Sequence, residues 1–198
     1  MTVWLARGDD VRWAARALLA YAAGTALGLP PAAIEVMKEP GGRPRLRGEA
    51  ASLHVAVSHT RGLAAVATSR LGPVGVDVEA VRPLPSAGLA RRWLLPAEAA
   101  WIGEHPVDRQ AVAFLLLWTY KEAVGKARGT GLRGGGLRQP APLRDGKRPL
   151  VLRPVPGDPG LVAAATLAGP GLVLGVAAGR AARGARPVVR ECTLDPVM

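Results

Sequence analysis

The spacing of apolar residues changes several times along this chain, and each change marks an element. From Val11 the apolar positions Ala14, Ala15, Leu18, Leu19 and Ala22 fall on one face at helical spacing. Asp9 or Asp10 can cap this helix, which should run to about Leu27 and stop at Gly28. Pro30-Pro31 turns the chain, 34–38 is a short strand candidate, and Pro40-Gly41-Gly42-Arg43-Pro44 is a loop. The period then becomes two. In 53–58, Leu53, Val55 and Val57 point one way and His54, Ala56 and Ser58 the other. A small-residue strand follows at 63–69, then a turn at Leu71-Gly72-Pro73. The segment 74–79 alternates most cleanly: Val74, Val76 and Val78 share one face, Gly75, Asp77 and Glu79 the other. Arg82-Pro83-Leu84-Pro85 reads as a linker. Two short helices are predicted around 87–95 and 97–104. A long helix starts at Pro106 and runs to about Ala127, with Gly129 as terminator. Residues 128–149 form a loop, strands lie near 150–153, 161–167 and 172–177, and the chain after Arg180 is a polar, weakly specified tail.

A helix followed by antiparallel strands thus occurs twice. The expectation is an α+β fold of two similar halves, 1–82 and 83–198, related by a pseudo-twofold axis, with a site between them, where pockets commonly form.

Composition adds limits. The 198 residues are 49% hydrophobic, enough for a real core, and the five tryptophans carry most of the aromatic packing. Cys192 is the only cysteine, which excludes an internal disulfide and a cysteine metal site and fits a reducing cytoplasm. The first twelve residues carry Asp9 and Asp10 and do not read as a signal peptide. The uncharged runs 17–34 and 161–179 are broken by glycine and proline, so no membrane span is expected. A net charge of +11 points to acidic partners, although an arginine-rich composition accounts for part of it.

The candidate chemistry sits at two places. Positions i and i+2 of a strand face the same way, so the carboxylates of Asp77 and Glu79 lie side by side, with Gly75 leaving room for a ligand. Two such anions repel unless a cation or proton lies between them, and hard oxygen ligands suit Mg²⁺; the plainer reading is the wet face of an edge strand. Glu122 and Lys126 share a helix face, which by itself describes a surface pair. Lysine is rare here (Lys38, Lys121, Lys126 and Lys147), yet two lysines flank Glu122 at the end of an apolar helix. Ser58-His59 lacks the glycine elbow of a serine hydrolase, and neighbours on a strand diverge, so His59 is a phosphate ligand or merely structural. Arg43 reads either as a phosphate grip or as a solvated arginine.

In this order and spacing these pieces resemble a known family, the 4′-phosphopantetheinyl transferases of the surfactin-synthetase-activating (Sfp-type) class. The resemblance is carried by Gly75-Val76-Asp77-Val78-Glu79 and by Trp118-Thr119-Tyr120-Lys121-Glu122-Ala123-Val124-Gly125-Lys126. Ser58-His59-Thr60, Gly42-Arg43-Pro44 and Gly129-Thr130-Gly131-Leu132 support it, and it runs from about Asp10 to Leu132. It implies transfer of phosphopantetheine from coenzyme A to a serine of an acyl, peptidyl or aryl carrier protein, with release of 3′,5′-ADP. Asp77, Glu79 and Glu122 would hold Mg²⁺ (or Mn²⁺) against the pyrophosphate. Glu122, or a water held on the metal by Glu79, would take the serine proton, Glu122 being favoured. Lys121 and Lys126 would contact pyrophosphate oxygens, with Lys126 counted among the catalytic residues. Arg43, Ser58, His59 and Arg12 would bind the coenzyme, chiefly at its phosphates. Relatives usually carry a longer basic N-terminal stretch, for which Arg7 and Arg12 stand in here; Ala56 replaces a frequent asparagine, and Arg43 a common lysine, which keeps the charge but alters the geometry. The implied partners are coenzyme A and an acidic carrier, with no nucleic acid and no membrane, for a cytoplasmic monomer. The apolar segment 89–101 is either a carrier-docking surface or core.

Three other readings compete. A basic nucleic-acid-binding protein explains the charge but not the strand-borne carboxylates, and would bind DNA regardless of Mg²⁺ or coenzyme A. Another Mg²⁺-dependent phosphotransferase lacks a Walker-type loop. A homologue that binds carriers without catalysing has no need of the acidic trio.

Overall fold

The computed structural model describes residues 1–132, 135–147 and 149–194; parts of the expected 128–149 loop and the last four tail residues lie outside that range. Helix α1 (Val11–Leu27) forms where predicted, because Asp10 accepts hydrogen bonds from the amides of Arg12 and Trp13 at its start and Gly28 closes it. The short helices α2 (Ser86–Trp93) and α3 (Pro96–Gly103) and the long α4 (Val107–Arg128) follow the sequence pattern. Gly129, at φ 80°, takes the left-handed conformation that stops α4 and returns its amide to Gly125 and Lys126.

The strands are β1 (Thr2–Arg7), β2 (Val36–Lys38), β3 (Pro44–Leu46), β4 (His54–Thr60), β5 (Leu63–Ser69), β6 (Val74–Ala80), β7 (Arg153–Val155), β8 (Asp158–Leu167), β9 (Leu172–Gly179) and β10 (Val188–Cys192). One sheet has the order β10-β1-β5-β4, a second β6-β9-β8-β7, and β2 and β3 form a small ribbon. In both large sheets the first strand of its segment lies beside the last, which pairs in turn with the one before it: β1-β5-β4 and β6-β9-β8.

The sheets do not divide at residue 82. Strand β6, placed with the N-terminal half by its position in the chain, pairs along its length with β9, and β10 returns to pair in parallel with β1. The division between sheets falls at the Leu71-Gly72-Pro73 turn, because hydrogen-bonded pairing, not proximity in sequence, decides which sheet a strand joins. Beyond Arg180, where a polar, weakly specified tail is expected, the chain forms β10.

The two sheets face each other. Val3, Leu5, Ala65 and Ala67 of the first meet Val74, Val76, Val78, Leu174 and Val176 of the second in one buried cluster. The outer face of the first sheet, with Trp4, Ala6 and Val66, is covered by Ala14, Leu18 and Ala22 of α1. The outer face of the second, with Ala163, Val173 and Ala177, is covered by Phe114, Leu117, Ala123 and Val124 of α4. The outward face of β6 therefore looks toward α4. Gly75 does not make room for a ligand: a Cβ there would stand 1.9 Å from the carbonyl oxygen of Ala123. The missing side chain lets α4 press against β6, and that approach brings Glu122 and Lys126 up to Asp77.

Candidate active site

Strands β4 and β6 are edge strands whose free edges run side by side. Edge amides need partners, and here hydroxyls supply them: the Val78 amide donates to Ser58 Oγ (3.4 Å) and the Ala80 amide to Thr60 Oγ1 (3.3 Å). The Ser58 hydroxyl donates to Asp77 Oδ1 at 2.7 Å, and Lys126 Nζ reaches the same oxygen at 2.8 Å. Asp77 is 6% exposed, and its other oxygen, Oδ2, is buried with no hydrogen-bond partner. Lys126 also donates to the Val76 carbonyl, so it bridges α4 to β6 instead of pairing with Glu122. Glu79 accepts from Arg82 Nη1 at 2.8 Å.

Glu122 is half-buried beside this seam. Burial first, and then the charge of Asp77, push its carboxyl above the usual carboxylate range; Lys126 pulls the other way and Glu79 adds to the rise. A carboxyl held up in this way is a better proton acceptor once ionised than an ordinary exposed one.

A groove of about 1100 Å³ runs along the seam. It gathers Ser58 and His59 from β4, Asp77 and Glu79 from β6, Trp118, Glu122 and Lys126 from α4, and Arg12 from α1. Arg43 lines a neighbouring cavity of about 220 Å³ that shares Glu122 and Lys126 with the groove, and it lies over Gly129 at the end of α4. Seven of the eight sequence-selected residues other than Lys121 therefore line one groove, and the eighth lies next to it. The Ser58 hydroxyl, expected on the coenzyme, donates to Asp77 and accepts from the Val78 amide while still lining the groove. Sequence reasoning missed Arg16 and Lys38, which also line the groove. Arg16 was within reach, since it lies one turn beyond Arg12 on the same face of α1.

Lys121 is the correction. Its side chain is 1% exposed, and its ammonium donates to Glu98 Oε1 (2.8 Å) and to the carbonyls of Leu137 (2.8 Å) and Gln139. The adjacent position on a helix is rotated by about 100°, so while Glu122 faces the groove, Lys121 points into the body of the protein and cannot reach a pyrophosphate. Its role is to tie α3 and the 137–141 segment to α4, with Glu98 also accepting from the Leu95 and Ala141 amides. The segment 89–101 divides in the same way: Ala90 and Leu94 are core, whereas Trp93 is 43% exposed under the Arg92 guanidinium.

Among the described residues, no group of three or more His, Cys, Asp and Glu side chains is arranged to hold a metal ion. The donor set nevertheless suits one: hard carboxylate oxygens, one of them the unpartnered buried Asp77 Oδ2, crowd together on one wall. Mg²⁺ takes one or two protein carboxylates and fills its shell with water and phosphate, so a complete protein cage is not needed. No helix among the described residues is long and apolar enough to cross a membrane.

Residues 73–152 match the model of the 4′-phosphopantetheinyl transferase superfamily. The chain is 33% identical over 122 residues to the 4′-phosphopantetheinyl transferase HetI of Nostoc, covering 60% of this chain and 52% of that one. It is 32% identical over 117 residues to a 4′-phosphopantetheinyl transferase of Bacillus subtilis (58% and 50%), and 34% over 107 residues to the 4′-phosphopantetheinyl transferase psf-1 of Bacillus pumilus (54% and 45%). The chain spans about half the length of the curated relatives it matches. These matches bear out the family resemblance carried by the two sequence blocks.

Proposed function

We propose that this chain transfers the 4′-phosphopantetheine group of coenzyme A to a serine of an apo acyl or peptidyl carrier protein, leaving adenosine 3′,5′-bisphosphate. One observation carries the reading. The strand pair Asp77/Glu79 and the helix pair Glu122/Lys126, which the sequence holds more than forty residues apart, open into a single groove whose other walls present Arg12, Arg16, Lys38 and His59.

Each side chain has a task in that groove. Arg12, Arg16, Lys38 and His59 are cationic or polar groups suited to the phosphates of a polyanion, and Arg43 extends them toward the α4 terminus. Asp77 and Glu79, with Glu122 beside them, would hold a magnesium or manganese ion. When bound, such an ion neutralises pyrophosphate charge and stabilises the departing phosphate. Ser58 fixes the Asp77 carboxylate by hydrogen bonding to one of its oxygens. Glu122 accepts the proton of the carrier serine, for which its raised affinity for protons suits it. Lys126 offers its ammonium to the phosphoryl oxygens. Little covalent work falls to the protein, since phosphoryl transfer depends mostly on positioning and charge.

The net charge of +11 suits an acidic carrier and a polyanionic coenzyme, with steering that weakens in salt. The recurring strand order of the two sheets supports halves related by a pseudo-twofold axis with one composite site between them, and we place the chain as a cytoplasmic monomer. The test is to incubate the protein with coenzyme A, Mg²⁺ and a panel of apo carriers, and to weigh each carrier by mass spectrometry. A gain of one phosphopantetheine is expected on at least one carrier and none without Mg²⁺; no gain on any carrier sinks the proposal.

A further inference from the structure

We propose that Lys126 and Arg82 are built-in counter-cations for the strand carboxylates, displaced when a divalent cation arrives, so that metal loading hands Lys126 over to phosphate. The proposal rests on the metal-and-phosphate reading of the groove and assigns to Arg82 a part that no sequence motif gave it.

The geometry is specific. Lys126 Nζ lies 2.8 Å from Asp77 Oδ1, and Arg82 Nη1 lies 2.8 Å from Glu79 Oε2. Two of the hard oxygens on which a divalent ion would draw thus already have a monovalent cation against them, while Asp77 Oδ2 has no partner. Asp77, Glu79 and Glu122 would otherwise place three negative charges on one wall of the groove, and the two cations offset that repulsion.

Both cations are able to leave. The Lys126 side chain is 27% exposed and that of Arg82 51%. Arg82 follows β6 directly, and its other hydrogen bond goes to the Ala80 carbonyl. Lys126 carries a compact charge on a flexible stem. A divalent cation competes with each for the same oxygens, with twice the charge. Once Asp77 is engaged, Lys126 loses its carboxylate partner but keeps the Val76 carbonyl and stays on the groove wall, with two of its three N–H donors left for a phosphate. Two consequences follow. Both cations weaken the binding of metal by itself, and metal strengthens coenzyme binding partly by releasing Lys126, a coupling that must be reciprocal.

The test titrates the full chain with Mn²⁺ alone, at fixed ionic strength, and reads free Mn²⁺ by electron paramagnetic resonance. Lys126→Gln is expected to tighten Mn²⁺ about tenfold, and Arg82→Gln about threefold for its more exposed pair. Arg43→Gln removes a positive charge from the adjoining cavity without touching either carboxylate and is expected to leave Mn²⁺ affinity unchanged. With coenzyme A added, Lys126→Gln should bind the coenzyme more weakly than the wild type in the presence of Mn²⁺, whereas Arg82→Gln should not. The proposal is overturned if neither variant binds Mn²⁺ more tightly than the wild type, or if Arg43→Gln tightens it as much as they do. Asp77→Asn separates the two readings. Mn²⁺ binding that survives this change removes the metal site itself, whereas binding lost in Asp77→Asn but unmoved by Lys126→Gln and Arg82→Gln removes only the counter-cations.

Discussion

Two lysine–carboxylate pairs sit on α4, five residues apart, with the same 2.8 Å separation, in opposite surroundings. The Lys121–Glu98 pair is closed: its side chains are 1% and 3% exposed, and the lysine has two further carbonyl partners. Burial lowers the proton affinity of Lys121 and Glu98 raises it again, an arrangement suited to holding structure and to no exchange with solvent. The Lys126–Asp77 pair is open: the lysine is partly exposed, one carboxylate oxygen is unpartnered, and a large groove lies alongside. Distance and residue type do not separate an ion pair closed into the core from one open to a ligand. Burial and the number of remaining partners do.

The sharpest way to break this comparison is on the open side. Glu122→Gln should lower carrier modification by about 10²–10⁴-fold, as expected for loss of a general base, and Asp77→Ala should abolish it. Circular dichroism should show both variants folded; near-normal turnover in either would remove it from the site. On the closed side, Lys121→Met should cost about 3–5 kcal/mol of stability, the usual result of leaving a buried partner charge uncompensated. Urea unfolding measures this loss, and the folded fraction should still bind coenzyme A with wild-type affinity. Weakened binding there would return Lys121 to the phosphate site.

Smaller effects sharpen the picture. Arg16→Gln and Lys38→Gln should each weaken coenzyme A binding about three- to tenfold, with the difference shrinking as salt screens the groove; calorimetry at two ionic strengths checks both. The smallest effect is on stability against pH. Because the Glu122 carboxyl is held above its ordinary range, the folded state binds that proton more tightly than the unfolded chain does. Its ionisation therefore costs stability, a cost fully present above the raised value and absent below the ordinary one. Glu122→Gln should melt higher than the wild type at neutral pH, and the gain should vanish as pH falls through the carboxylate range. Melting curves across pH that keep a constant offset would contradict the raised proton affinity.

Much of the fold was legible because its signals are local. Asp10, Gly28, Pro106 and Gly129 bound α1 and α4 through caps and stops that act within a turn, and β6 follows from strict alternation over seven residues. The misses are short or distant. β3 has three residues, and β10 presents mostly exposed side chains and becomes a strand only by pairing with β1 from the other end of the chain. Gly75 stands out in the sequence but its use does not: a missing side chain looks the same in sequence whether a ligand or a helix backbone fills the space.

The sequence by itself determined which polar residues could come together in a site. The Asp-x-Glu strand, the Lys-Glu helix end and the Ser-His-Thr segment name the groove's carboxylates, its α4 lysine and its histidine, because strand and helix periods place side chains on faces before any tertiary contact forms. Only the tertiary structure decided how those faces are used. It moved β6 into the second sheet, pressed α4 against Gly75 until Lys126 met Asp77, and turned Lys121 inward onto Glu98. Those outcomes depend on which surfaces meet and how deeply each charge is buried, and burial is a property of the packed whole that no local stretch of sequence contains.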